Sequence, residues 1–168
     1  MLDPIFTEKK SFEQAFSQGL ASMLENDELG VFILVLANAL ADEKLWGQFK
    51  PALITKFEKL KAGDITGAED DVIVFNQLLN LDLNDLEVTK YKTLGAFELQ
   101  YNPLRALRPQ RMSTVKTTGM SLDFDDGDFN FNKPFLKKET FWQGDFFSKN
   151  ISIFYNKFPF AKLHGLIV

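Results

Sequence analysis

The sequence predicts an α+β chain, with a helical region over residues 1–94 followed by an incomplete antiparallel sheet over residues 95–168. Two observations carry this division. Up to about residue 90 the apolar side chains recur mainly at helical spacing, whereas Ala96 to Tyr101 (AFELQY) alternates as a strand does. The second is composition: 10 of the 18 Phe residues fall from Phe124 onward, and aromatic side chains suit pleated, half-buried surfaces.

In the helical region, Ser11 and Gln14 form a capping-box pattern, and Phe12, Phe16, Leu20, Met23 and Leu24 follow at roughly helical spacing. From Glu28 to Trp46 almost every position between Val31 and Ala41 is apolar, which reads as a helix buried nearly all round or a strand leading into one, and length favours one helix. Pro51 fits a helix start, with Leu53, Ile54, Phe57 and Leu60 on one face and Gly63 placed to end it. A polar turn, Asp64 to Asp71, precedes an apolar segment from Val72 to Leu81, which Leu83, Leu86 and Val88 continue less regularly.

Beyond Gly95, Asn102-Pro103 ends the first strand and a basic loop follows, from Leu104 to Arg111 (LRALRPQR). Further strands are expected around Glu139 to Gln143, at Ile151 to Asn156 and at Leu163 to Val168. The short link between the last two suits antiparallel neighbours. The apolar ending Leu166-Ile167-Val168 points to a natural chain that continues further.

Charge and composition narrow the function classes. A net charge of −4 argues against a nucleic-acid-coating protein, which needs Lys and Arg clustered over a broad surface. With no Cys, disulfides, thiolate metal sites and Cys nucleophiles are excluded. The longest apolar run is far shorter than the ~20 residues of a spanning helix, and the start (MLDPIFTEKK) lacks a leader pattern, so a soluble, cytoplasmic protein is expected. The acidic turn Asp123, Asp125, Asp126 and Asp128 does not fit a calcium loop, since placing Gly127 sixth puts Leu122 first. No metal site and no cofactor are expected.

The candidate binding residues are Asn156, Arg105, Arg108 and Arg111, with His164 in a supporting place. Arg makes bidentate, charge-assisted bonds to phosphate oxygens, so the loop holding Arg105, Arg108, Arg111 and Lys116 could clamp a pyrophosphate. The plain alternatives are a solvated basic loop, a turn-forming Asn156 and a satisfied strand histidine. Most of the Phe-rich cluster is expected to be core, and Lys133, Lys137 and Lys138 to be solvent charges.

The string Asn156-Lys157-Phe158-Pro159-Phe160-Ala161-Lys162-Leu163-His164 resembles the strand-turn-strand of the histidine-triad superfamily. There a polar residue precedes a Pro by three positions and a His follows that Pro by five. That superfamily includes the galactose-1-phosphate uridylyltransferases, and the segment with Asn102-Pro103, Arg108-Pro109, Phe124-Asp125 and Phe129 to Lys133 is similar in order to the part of the GDP-L-galactose phosphorylase family that precedes the core sheet. The resemblance covers residues 97–168.

It implies the first half of a histidine-triad-like domain that binds a nucleotide or sugar nucleotide, in a parent nucleotidyltransferase or phosphorylase. Asn156 would face ribose hydroxyls and His164 would stand beside the catalytic cluster. The family's nucleophile lies in a His-x-His-x-His segment, where a neutral imidazole attacks phosphorus. With His164 its only histidine, this sequence lacks that segment and is expected to be inactive alone. The rival expectation is a non-catalytic interaction module, forming a homo-oligomer or taking a partner protein through the open sheet edge.

Overall fold

A computed structural model of the chain describes residues 3–109, 125–127 and 130–168. Among these residues it contains six helices and two antiparallel sheets, an α+β architecture as the sequence predicts. The helices are α1 (Pro4–Thr7), α2 (Lys9–Met23), α3 (Leu29–Leu40), α4 (Glu43–Lys61), α5 (Glu69–Leu78) and α6 (Pro103–Ala106). One sheet is the hairpin β1 (Lys90–Leu94) and β2 (Phe97–Tyr101); the other has the order β3 (Thr140–Phe146), β4 (Lys149–Tyr155), β5 (Gly165–Ile167).

Helix α3 is the axis of the core. Every residue of it except Gly30 is buried, and it packs against α2, α4, α5 and α6. Its sequence carries no charge, so surrounding it with other elements is the arrangement that removes most apolar surface from water. Phe32, Phe57 and Phe75 join α3, α4 and α5 through ring contacts of 5.3–6.0 Å.

The three-stranded sheet docks on α2. Phe16, Phe141 and Tyr155 form a cluster with ring centroids 4.6–5.1 Å apart. The Tyr155 hydroxyl donates to the Phe16 carbonyl at 2.6 Å. A Cβ on Gly19 would lie 2.2 Å from Tyr155 Oη and 2.9 Å from Phe141 Cβ, so a glycine is what lets the ring reach α2. Burial pushes the Tyr155 phenol well above its ordinary value. β3 and β4 pair antiparallel from Thr140↔Phe154 to Phe146↔Lys149, and the last two strands, expected as antiparallel neighbours, pair as β4–β5 from Ile153↔Ile167 to Tyr155↔Gly165.

Several boundaries differ from expectation. The segment read as one helix from Glu28 to Trp46 is two, because Asp42 caps α4 by accepting from the Lys44 and Leu45 N–H groups at 3.0 Å. Pro51 lies inside α4 rather than at its start. Proline cannot donate to the carbonyl of Gly47, but both residues are exposed, so water can serve that carbonyl. The buried stripe Leu45, Trp46, Phe49, Leu53 and Phe57 runs on across it. Helix α2 begins at Lys9, and Ser11 bonds the Glu8 carboxylate at 2.9 Å instead of capping the helix.

Asn102 ends β2 and also starts α6. Its Oδ1 accepts from the Arg105 N–H at 3.0 Å, and its Nδ2 donates to Thr89 Oγ1 at 2.9 Å. Thr89 in turn donates through N–H and Oγ1 to the Leu40 carbonyl, tying the hairpin base to the end of α3. The two-residue loop of the hairpin is Gly95-Ala96, with Gly95 at φ +62°. No helix among the described residues is long and apolar enough to cross a membrane.

Candidate functional site

A cleft of about 1310 Å³ lies among the described residues. One wall is the N-terminal ends of α3 and α5; the other is the turn at Pro134–Glu139 with the end of β4 and the loop after it. Neither helix has a side-chain cap there, Glu28 and Ala68 occupying the cap positions without a side-chain bond. The N-terminal end of a helix carries a partial positive charge.

A buried ion pair lies on this cleft. Lys157 Nζ is 2.5 Å from Asp71 Oδ1, and the Asp71 side chain is 6% exposed. A Cβ on Gly30, at the start of α3, would lie 2.8 Å from Asp71 Oδ2 and 3.3 Å from Lys157 Nζ. Glycine there lets the pair lie against the first turn of α3. Close by, burial pushes the Glu139 carboxyl above its ordinary value; Lys157 opposes that shift and Asp71 adds to it. At the rim Lys138 bonds Glu28 at 2.5 Å and holds that carboxyl below its ordinary value. Phe131 and Phe154, with centroids 6.3 Å apart, supply aromatic wall.

The structure places the sequence-predicted residues around one loop, 156–164, but on two sides of it. Asn156 and Arg108 line the cleft. His164 instead lines a smaller hollow of about 320 Å³ with Phe12, Phe160 and Ile167. Arg105 lies 3.8 Å over the exposed Phe160 ring, and Arg108 lies 5.2 Å over Phe158. Arg111 and Lys116 lie outside the described residues, as do Asp123 and Asp128 of the acidic turn.

Asn156 and His164 brace the loop between them. The Phe158 N–H donates to Asn156 Oδ1 at 3.1 Å, and the Phe160 N–H donates to His164 Nδ1 at 3.1 Å. Asn156 Nδ2 stands 3.4 Å from the same ring nitrogen, and the Asn156 N–H donates to the His164 carbonyl at 3.2 Å. Nδ1 is thus an acceptor, which leaves the ring proton on Nε2. Burial, then the charge of Arg105, holds the imidazole below its ordinary value. Gln100 Nε2 also donates to the Phe160 carbonyl, joining β2 to the loop.

From α3, Asn38 Nδ2 donates to the Asn156 carbonyl at 3.0 Å and to the Leu34 carbonyl at 2.9 Å. The sequence reading missed Asn38, Asp71, Gly30, Glu139 and Lys157. A lone Asn within an otherwise apolar helix was the signal for Asn38, since a buried amide must find partners. Among the described residues no group of three or more His, Asp or Glu is placed to hold a metal ion. The arrangement offers three cations (Arg108, Lys138 and Lys157), helix ends and rings to a ligand, beside seven carboxylates that also line the cleft, with the imidazole of His164 engaged in the loop. No protein-family model, curated protein or solved structure matches this chain.

Proposed function

We propose that the cleft holds the phosphate-bearing part of a nucleotide or sugar nucleotide, and that the chain is the binding part of a nucleotidyltransferase or phosphorylase. The observation that supports this best is convergence: Asn156 and Lys157 from the loop after β4, and Arg108 from the basic loop, meet at one cleft under two helix ends without side-chain caps. Arg108 and Lys157 offer charge-assisted donors to phosphate oxygens, and the helix ends add main-chain donors. Phe131 and Phe154 offer faces to a base. The carboxylates of Glu69, Asp70 and Asp71 in the first turn of α5 oppose an anion at that helix end, so attraction rests on Arg108, Lys138 and Lys157.

In the cleft Asp71 holds Lys157 and Glu28 holds Lys138. A phosphate competes with these carboxylates for the two ammonium groups, which tempers its affinity. Without a His-x-His-x-His segment in this sequence, the chain binds and does not cleave by itself.

Calorimetric titration with GDP, ADP and a sugar nucleotide tests the reading. Saturable binding is expected, at least about tenfold weaker in Arg108→Ala, because one charge-assisted bond to phosphate is lost. An absence of binding by all three ligands would sink it.

A further inference from the structure

Every residue of the β1–β2 hairpin is exposed, and its large apolar side chains range from 51% exposed at Tyr91 to 73% at Phe97. A two-stranded ribbon open on both faces is marginal in water, and its free edges are templates for further strands. The register sets what each face and edge offers. Lys90↔Tyr101, Lys92↔Leu99 and Leu94↔Phe97 share one face; Tyr91↔Gln100 and Thr93↔Glu98 share the other. The first face therefore carries an apolar row along β2 (Phe97, Leu99, Tyr101) beside two lysines along β1.

The two edges differ in charge. The β1 edge is guarded by Lys90 and Lys92, a usual device against pairing, whereas the β2 edge bears one charge, Glu98. In a hairpin closed by a two-residue loop, Leu94↔Phe97 is a hydrogen-bonded pair, so the outward main-chain groups of β2 are those of Glu98 and Gln100. Among the described residues no main-chain bond reaches them from outside the hairpin.

We propose that two copies of this chain pair through their β2 edges about a two-fold axis at Leu99, giving a four-stranded antiparallel sheet. The outward groups of Glu98 in one copy meet those of Gln100 in the other. Leu99 faces the second Leu99 as a non-hydrogen-bonded pair, and Phe97 faces Tyr101 on the same side. No like charges stand opposite each other in this register. Pairing through β1 centred on Lys92 would set Lys92 against Lys92, which is unfavourable. A second copy is thus the occupant that satisfies both the backbone and the charges, and the two-fold closes after two chains.

The chain contains no Cys, so one introduced thiol reports the geometry. Opposed non-hydrogen-bonded residues have Cα atoms ~4.5 Å apart, within disulfide reach. Under mild oxidation the full-length Leu99→Cys variant should cross-link to a dimer much faster than Lys92→Cys. Sedimentation of the unaltered chain from micromolar to near-millimolar concentration should show a monomer–dimer equilibrium, weakened at least about tenfold in Leu99→Lys by like charges meeting on the axis. Circular dichroism should show all three variants folded, both positions being exposed. A monomer throughout the range, cross-linking equally slow at both thiols, or an open-ended oligomer would overturn the proposal.

Discussion

Asn38 and Asn156 are 118 positions apart in sequence, yet the Asn38 amide donates at 3.0 Å to the Asn156 carbonyl. This bond fixes the loop that supplies Asn156 and Lys157 to the cleft against the most buried helix of the fold. Asn38 Oδ1 is itself buried without a hydrogen-bond partner among the described residues, which is unfavourable. We expect Asn38→Asp to be severely destabilising, by more than about 2 kcal/mol, since a carboxyl would face two carbonyls. Asn38→Leu removes the unpaired oxygen but leaves the Asn156 carbonyl without its donor. Chemical denaturation should show a smaller loss for it than for Asn38→Asp.

Gly19 is the contact point between α2 and the sheet. Gly19→Ala places a methyl where Tyr155 Oη and Phe141 Cβ stand. The sheet must then retreat and the Tyr155 bond to Phe16 breaks, for a cost of about 2 kcal/mol. Thermal unfolding of Gly19→Ala against Tyr155→Phe separates the steric part from the hydrogen bond. Recovery of stability in the double variant Gly19→Ala/Tyr155→Phe is expected.

Removing Lys157 leaves Asp71 buried and unpaired. Lys157→Met should destabilise by about 3 kcal/mol, whereas Asp71→Asn/Lys157→Met should recover most of that loss, because the charge penalty goes with the carboxylate. Equal losses in the single and double variants would show that the pair acts through packing alone.

Two groups give stability opposite slopes with pH. His164 has a lowered value in the fold, so the unfolded chain takes up protons more readily. Its contribution is present above the unfolded value of 6.5 and is lost as pH falls through the folded one. Glu139 has a raised value, so its contribution is present below 4.5 and is lost as pH rises through its folded value. His164→Asn keeps an acceptor for the Phe160 N–H without titrating. It should flatten the stability curve below about pH 6.5, and Glu139→Gln should remove the opposing slope.

The α+β class and the last two strands were legible because their periodicity is tied to burial, although β1 lies inside the region 1–94 read as helical. Phe16 and Leu20 repeat on the buried side of α2, and Ile153 and Tyr155 face the core from β4. Strand β1 was not legible. Both faces of its hairpin are exposed, so Lys90 to Leu94 carries no alternation imposed by a core. Pro51 misled because its meaning depends on where the Gly47 carbonyl points, which propensity does not encode. Of the candidates that local spacing offered, Asn156 and Arg108 line the cleft, whereas Arg105 and His164 do not. Asp71 and Gly30 reach Lys157 through contacts of long sequence separation, and single-chain patterns do not report those.

Amide chemical-shift mapping during titration with GDP tests the central claim most directly. Binding at the cleft should move the resonances of Gly30, Asp71, Lys138 and Lys157 in a saturable way and leave the β1–β2 hairpin unmoved. No saturable change, or changes confined to the hollow around Phe160 and Ile167, would contradict the assignment of a nucleotide to this cleft.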